Sequence, residues 1–224
     1  ACDEALLDWC ETGGEDELLR FWEPTGYFVV VGYANRVATE VNVEFCQQEG
    51  IPVLRRCSGG GTVLQGPGCL NYSLILGIDS ESPLQMISGT NDFVIHRLCE
   101  TFSALLETPV QRLGCTDLAI AGVKFCGNAQ RRRRRFLLFH GCFLLDMDIA
   151  LVEKTLPLPS RQPDYRANRS HIDFLRNLKM PPAPVKAALR QAWKADEPLS
   201  GIPTGQIREL ARGKYRQTEW NLKF

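Results

Sequence analysis

Three consecutive glycines, Gly59-Gly60-Gly61, follow the strand-forming run Val53-Leu54 after four intervening residues and impose a turn in which no side chain shields the backbone. Backbone N–H groups at such a turn can approach an oxyanion or phosphate closely, and Arg55 and Arg56 put positive charge beside it. The spacing is neither G-x-x-x-x-G-K-[ST] nor G-x-G-x-x-G, so the P-loop and dinucleotide fingerprints do not apply. By itself the triplet reads more simply as a flexible connection between strands.

The run Tyr27-Phe28-Val29-Val30-Val31-Gly32-Tyr33 is aromatic and β-branched without interruption, the pattern of a buried strand. Leu70 to Ile78 alternates into another, and Asp117 to Lys124 and Phe136 to Leu145 read as a hairpin around an arginine-rich connection. Helical spacing marks Asp3–Glu11, with Asp3 as a cap, then Asn35–Gln48, Asn91–Glu107, Val185–Lys194 and, less fully, Gln206–Tyr215. Beyond Leu151, prolines such as Pro157, Pro159 and Pro163 punctuate a polar stretch that reads as loop. Strands and helices mixed without strict βαβ alternation predict an α+β domain with a mixed sheet. The 224 residues, 44% apolar, suffice for one domain spanning 1–224.

Lys plus Arg equals Asp plus Glu, 26 each, so no whole-molecule field favours nucleic acid or an anionic membrane. No apolar run approaches the ~20 residues of a spanning helix, and no signal peptide is evident. Nine scattered cysteines without a C-x-x-C pair argue against a disulfide framework or an ordinary zinc site. Reduced thiols in a cytoplasmic compartment fit best.

Lys124 lies among Ala, Ile, Val and Phe, so it either takes the solvated side of its strand or reaches an anion. His140 is readable as a rim histidine or a functional one, and Asp117 as a turn residue or a ligand. Arg131 to Arg135 put five like charges in succession, which belong at an exposed tip, as a solvated turn or to steer an acidic partner.

In their order and spacing these segments resemble the lipoate protein ligase branch of the biotin/lipoate protein ligase superfamily. R-R-x-S-G-G-G-[AT]-V is matched from Arg55 to Val63, and the aspartate followed by G-x-K-x-x-G-[NS]-A by Asp117, Gly122, Lys124, Gly127, Asn128 and Ala129. His140-Gly141-Cys142-Phe143-Leu144-Leu145 matches a third signature, and the opening Asp3-Glu4-Ala5-Leu6-Leu7 is also similar. The resemblance implies a class II synthetase-like catalytic domain, a mostly antiparallel sheet flanked by helices. It implies activation of lipoate or octanoate with ATP and Mg²⁺ as an acyl-adenylate, then transfer to a lysine of a lipoyl carrier domain. That carrier would be a 2-oxoacid dehydrogenase subunit or of the glycine cleavage H protein type.

On that resemblance Lys124 is the fixed catalytic cation, and Asp117 positions the metal or the incoming amine. The acyl-adenylate surface comprises Arg55, Arg56, Ser58, Gly59, Gly60, Gly61, Thr62, Val63, Asn71, Gly127, Asn128, Ala129, His140 and Gly141, with Arg56 and Ser58 on the phosphate or carboxylate. Val29 to Val31 and Leu74 to Leu76 offer wall material for an acyl tunnel.

The chain departs from the pattern at Gln65, where related ligases commonly show a histidine. Gly66-Pro67-Gly68 is instead similar to the octanoyltransferase branch, which works through a cysteine thioester, yet the two positions for that cysteine hold Pro109 and Ser160. The smaller C-terminal accessory domain of many lipoate ligases is expected to be absent; some relatives receive it as a separate polypeptide. A non-catalytic binder of carrier domains is the third reading.

Overall fold

The structure, a computed structural model, describes residues 1–13, 17–79 and 81–224. In chain order the elements are α1 (Cys2–Thr12), β1 (Leu18–Trp22), β2 (Phe28–Val31), α2 (Val37–Glu40), α3 (Val43–Gln48), β3 (Val53–Arg55), β4 (Val63–Gln65) and β5 (Cys69–Gly77). After these come α4 (Ile87–Leu106), β6 (Gln111–Leu113), β7 (Asp117–Ile120), β8 (Val123–Arg132), β9 (Phe136–Leu144) and α5 (Ile149–Thr155). The chain finishes with α6 (His171–Phe174), α7 (Pro182–Ala192), α8 (Thr204–Leu210), a π-helical turn and α9 (Thr218–Asn221). No helix of the described residues is long and apolar enough to cross a membrane.

Six strands pair antiparallel in the order β1-β5-β9-β8-β7-β6, and a second sheet of three runs β3-β2-β4 with β2 and β3 parallel. This is the α+β architecture expected from the sequence. Strand alternation gives the large sheet two faces with different covers. Tyr72, Leu74 and Leu76 of β5 and Leu137, Phe139 and Phe143 of β9 lie under α4 and α7, against Val94, Leu98, Phe102, Val185 and Leu189. On the other face Ile75, Phe136 and Leu138 meet Leu6, Leu7 and Cys10 of α1. Farther along that face, Cys69, Cys142 and Leu144 meet Val29, Val31 and Leu64 of the small sheet. Between these two covers lies a stretch lined by Ser73, His140 and Ala129, one registered row across β5, β9 and β8.

Several local expectations are corrected by competing interactions. Asn35–Gln48 is two short helices, because Val41 is extended and the Asn42 side chain caps α3 by accepting from Phe45 N–H. Asp117–Lys124 is not one strand: Ala121 and Gly122 turn at φ 50° and 78°, so Lys124 belongs to β8. β5 is buried on both faces from Cys69 to Leu76. Part of the stretch read as loop is helical, since Asp148 and Ser170 cap α5 and α6. Asp3 caps nothing: α1 has Ala1 at its N-cap position and no side-chain cap. Leu74 and Leu76 face α4, away from Val29 and Val31, so the two sets do not wall one tunnel.

The arginine run is likewise divided. Arg131 and Arg132 end β8; Arg131 donates to Cys57 O at 2.7 Å, and Arg132 to Gln85 O at 2.9 Å and Thr90 Oγ1 at 3.0 Å. Only Arg133 to Arg135 form the exposed turn, where Asp8 pairs with Arg133 and the Glu11 carboxylate accepts the N–H groups of Arg134, Arg135 and Phe136. α1 is thereby tied to the β8–β9 hairpin.

Phe143 is fully buried, stacked on Tyr72 at 5.0 Å and tilted against Phe102 at 4.6 Å between ring centroids. Phe143→Ala is expected to lower stability by about 3–5 kcal/mol, read as a reduced urea midpoint with unchanged m-value.

Candidate active site

The glycine turn is held from behind by two cations, Arg55 buried and Arg56 half-buried. Arg55 is 1% exposed, and its guanidinium donates to the carbonyls of Gly32, Tyr33, Asn35 and Trp220 at 2.8 to 3.1 Å. Its backbone N–H donates to Asn221 Oδ1 and its carbonyl accepts from Trp220 Nε1, so α9 clamps this end of β3. Arg55 therefore shapes the turn from beneath, and its side chain does not reach the exposed surface where a ligand would bind.

Arg56 donates to Gly59 O and Gly61 O, with Nη2 at 2.5 and 2.7 Å, and to Val30 O at 3.3 Å. Burial lowers its pKa to about 10, leaving it protonated at neutral pH. The cation expected on a phosphate is engaged with the turn's own carbonyls. Gly60 adopts φ 86°, and a Cβ on Gly32 would lie 2.1 Å from Gly60 O, so both glycines are needed for the turn to pack on β2. Gly59, Gly60 and Gly61 are exposed, and among the described residues their N–H groups have no hydrogen-bond partner. Donors without a partner on an immobilised turn are available to an oxyanion.

β8 connects this turn to Lys124. Ala129 lies on the side of β8 that Gly60 approaches, and Gly127, two residues earlier on the same face, leaves room for the Lys124 ammonium. Lys124 Nζ is 2.8 Å from Asp117 Oδ1, and Tyr165 Oη donates to Asp117 Oδ2 at 2.7 Å. Burial, then the Asp117 carboxylate, pushes the Tyr165 phenol far up, so it remains a donor. Tyr165 carries no sequence signal, being 48 residues from Asp117. Among the described residues no three His, Cys, Asp or Glu side chains converge on a metal site, and Asp117 is the single carboxylate beside Lys124.

The row between the two covers holds a second constellation. Ser58 Oγ lies 2.6 Å from His140 Nε2, and His140 Nδ1 lies 3.4 Å from Asp3 Oδ2. Arg20 donates to Asp3 Oδ1 at 2.8 Å. Burial alone would raise the Asp3 pKa, but the His140 hydrogen bond and charge, with Arg20, outweigh it and hold the carboxyl at about 2. Next to it Glu4, 3% exposed, accepts from Lys214 and Tyr215 and faces Arg131 at 3.6 Å.

Alternation separates the remaining expected residues. Asn128 and Gly141 are a registered pair with Tyr72 on the face under α4: Tyr72 Oη donates to Asn128 Oδ1 at 2.6 Å, and Asn128 Nδ2 donates to Thr116 O. Their side-chain positions face the core, not the row of His140. Asn71 is on the His140 side, donating to buried Gln65 at 2.8 Å, while Thr62 accepts from Asn35 and Val63 is exposed. The nearby thiols are poorly suited to nucleophilic roles. Burial pushes Cys126 far up, and the hydrogen bond with Cys69, then burial, raises Cys142. Cys115 is exposed on the β6–β7 turn, and Ser160 is hydrogen-bonded to Glu40. A groove of about 840 Å³ along α4 and β6 touches none of these residues.

Two outcomes follow from this geometry. A Cβ at position 127 would meet Lys124 Nζ at 2.8 Å, the far end of a flexible side chain. Gly127→Ala should displace the ammonium from Asp117 in a crystal structure while moving Tm by less than about 4 °C. Asp3, with its folded pKa below the ordinary 3.8, stabilises the fold above that pH by roughly 2 kcal/mol, a contribution lost as pH falls towards about 2. Acid titration of Asp3→Asn against the parent should lack this component.

Residues 1–193 match the family model described as the lipoyl protein ligase A/B catalytic domain. The chain is 27% identical to octanoyltransferase LipM of Geobacillus kaustophilus, covering 100% of this chain and 92% of that protein. It is 33% identical to the putative lipoate-protein ligase A of Aeropyrum pernix over 69% of this chain and 55% of that one. Its fold superposes on the bipartite lipoate protein ligase of Thermoplasma acidophilum with a TM-score of 0.83 at 22% identity, covering 98% of this chain and 89% of the other. With the glycine turn, the lysine and the histidine in the family's order on the family's fold, the chain belongs to the lipoyl protein ligase A/B catalytic domain family.

Proposed function

We propose that the chain transfers an octanoyl group from a carrier-protein thioester to the ε-amine of a lysine on a lipoyl carrier domain. The observation that carries the acyl-transfer reading is the set of free N–H groups at Gly59 to Gly61, joined along β8 to the Lys124 ammonium. Attack on an acyl carbonyl gathers negative charge on its oxygen, and fixed donors plus a fixed cation stabilise that charge without reorganising. Asp117 and Tyr165 keep the ammonium in place until an anionic oxygen competes for it.

Two considerations favour the thioester donor over the ATP-dependent activation expected from the sequence. Similarity over the whole chain is to octanoyltransferases, and Arg56, the expected phosphate ligand, is already bonded to the turn. The ligase reading keeps support from the missing cysteines at Pro109 and Ser160 and from the local 33% identity with a putative ligase. In that reading the free N–H groups fit a phosphate, and Asp117 alone offers Mg²⁺ a carboxylate, so the ion would rely on phosphate oxygens and water. The acceptor, a lipoyl domain of 2-oxoacid dehydrogenase or glycine cleavage type, supplies the amine in both.

A mass-shift assay separates the two. Purified chain is incubated with a lipoyl domain and either octanoyl-carrier protein or octanoate with Mg-ATP. Octanoylation from the carrier protein alone is expected, and octanoylation from Mg-ATP alone would replace the proposal with the ligase reading. Lys124→Ala should reduce transfer by about a hundredfold or more, the size seen for removal of an oxyanion donor, with the fold retained by circular dichroism.

A further inference from the structure

Asp3, outside the glycine turn and the lysine motif, lies within reach of His140 and half-buried beside Arg20. Its carboxylate faces Nδ1, so the neutral ring carries its proton there and offers the Nε2 lone pair to the Ser58 hydroxyl. Ser58 then commits its hydrogen to His140 and presents oxygen lone pairs at the head of the glycine turn. Those lone pairs suit a donor, and in acyl transfer to lysine the donor is the attacking amine.

We infer that Asp3 is a positioning residue for proton removal from the acceptor lysine, acting through His140 and Ser58. The inference rests on the acyl-transfer reading above. As the amine nitrogen bonds to the acyl carbon and the carbon–sulfur bond breaks, the amine proton passes to Ser58 Oγ while the Ser58 proton passes to His140 Nε2. The resulting imidazolium is balanced by Asp3 and returns its proton to the departing thiolate, so atoms and charge are conserved. Ser58 is buried, and His140 and Asp3 are largely so. The acceptor amine meets Ser58 when it enters beside the exposed Gly59–Gly61 turn.

The groups that act on this pair come from every packed element. Arg20 of β1 and Cys2 of α1 lie beside Asp3, Arg131 of β8 bonds the Cys57 carbonyl that precedes Ser58 and faces Glu4 of α1, and β5 contributes uncharged Ser73. No second carboxylate from these elements replaces Asp3 at His140 Nδ1 among the described residues.

The test uses the full chain with octanoyl-carrier protein and lipoyl domain, comparing Asp3→Asn and Asp3→Glu with the parent. Asp3→Asn is expected to lower kcat at least about tenfold with KM within about twofold, as for a histidine left in the wrong tautomer. The acid limb of its kcat–pH profile should move to lower pH, because the amide no longer favours the imidazolium. Nitrogen-15 NMR of His140 should show the Nδ1–H tautomer in the parent and its loss in Asp3→Asn, and Asp3→Glu should restore part of kcat. Parental kcat in Asp3→Asn, or a lower kcat with the acid limb unmoved, would overturn the inference. A parent inactive with the thioester donor would instead reject the acyl-transfer reading on which the inference rests.

Discussion

Antiparallel pairing of β8 with β9, and of β9 with β5, decides which parts of the signature segments can meet. One register sets Ser73, His140 and Ala129 in a row, and the next sets Tyr72, Gly141 and Asn128 on the opposite face. A slip of one residue would exchange the two rows, placing His140 under α4 and Tyr72 against the small sheet. The aromatic packing of Tyr72, Phe102 and Phe143 opposes such a slip, so the core beneath α4 fixes the geometry of the row above it.

Above that row, buried ions organise the turn. Arg55 and Glu4 are buried ionisable groups and Asp3 a half-buried one, a costly arrangement unless each is paired or hydrogen-bonded. Arg55 donates Nε and Nη1 to four carbonyls, Asp3 pairs with Arg20 and His140, and Glu4 with Lys214 and Tyr215. These partners come from both ends of the chain, so α1 and the segment from Lys214 to Trp220 converge on the glycine turn. The exposed N–H groups at Gly59 to Gly61 are the counterpart of that rigidity: the carbonyls are turned to Arg56, and the donors are left for a ligand.

Much of this was legible in the sequence. The strand runs, the long helix ending near Leu106 and the order of glycine turn, lysine and histidine all follow from local pattern. Other features were not legible because nothing local encodes them. Asp3 read as a helix cap, since a carboxylate in a first turn ordinarily is one; its partner His140 is 137 residues away. Arg55 and Arg56 read as ligand-binding cations, because charge beside glycines suggests an anion, whereas the unpaired carbonyls of the turn and of the β2 end claimed them first. Asn128 and Gly141 belonged to the motifs, but pleating turned their side-chain positions to the core. The arginine run was treated as one unit, although Arg131 and Arg132 point to different partners.

In the proposed reaction one acyl carbonyl is held between the Gly59–Gly61 turn and Lys124. A crystal structure of the chain with a non-hydrolysable octanoyl thioester analogue tests it most directly. The carbonyl oxygen is expected within hydrogen-bonding distance of a turn N–H and of Lys124 Nζ. An acyl group seated instead in the groove along α4 and β6, with the turn empty and Lys124 still bound only to Asp117, would contradict it.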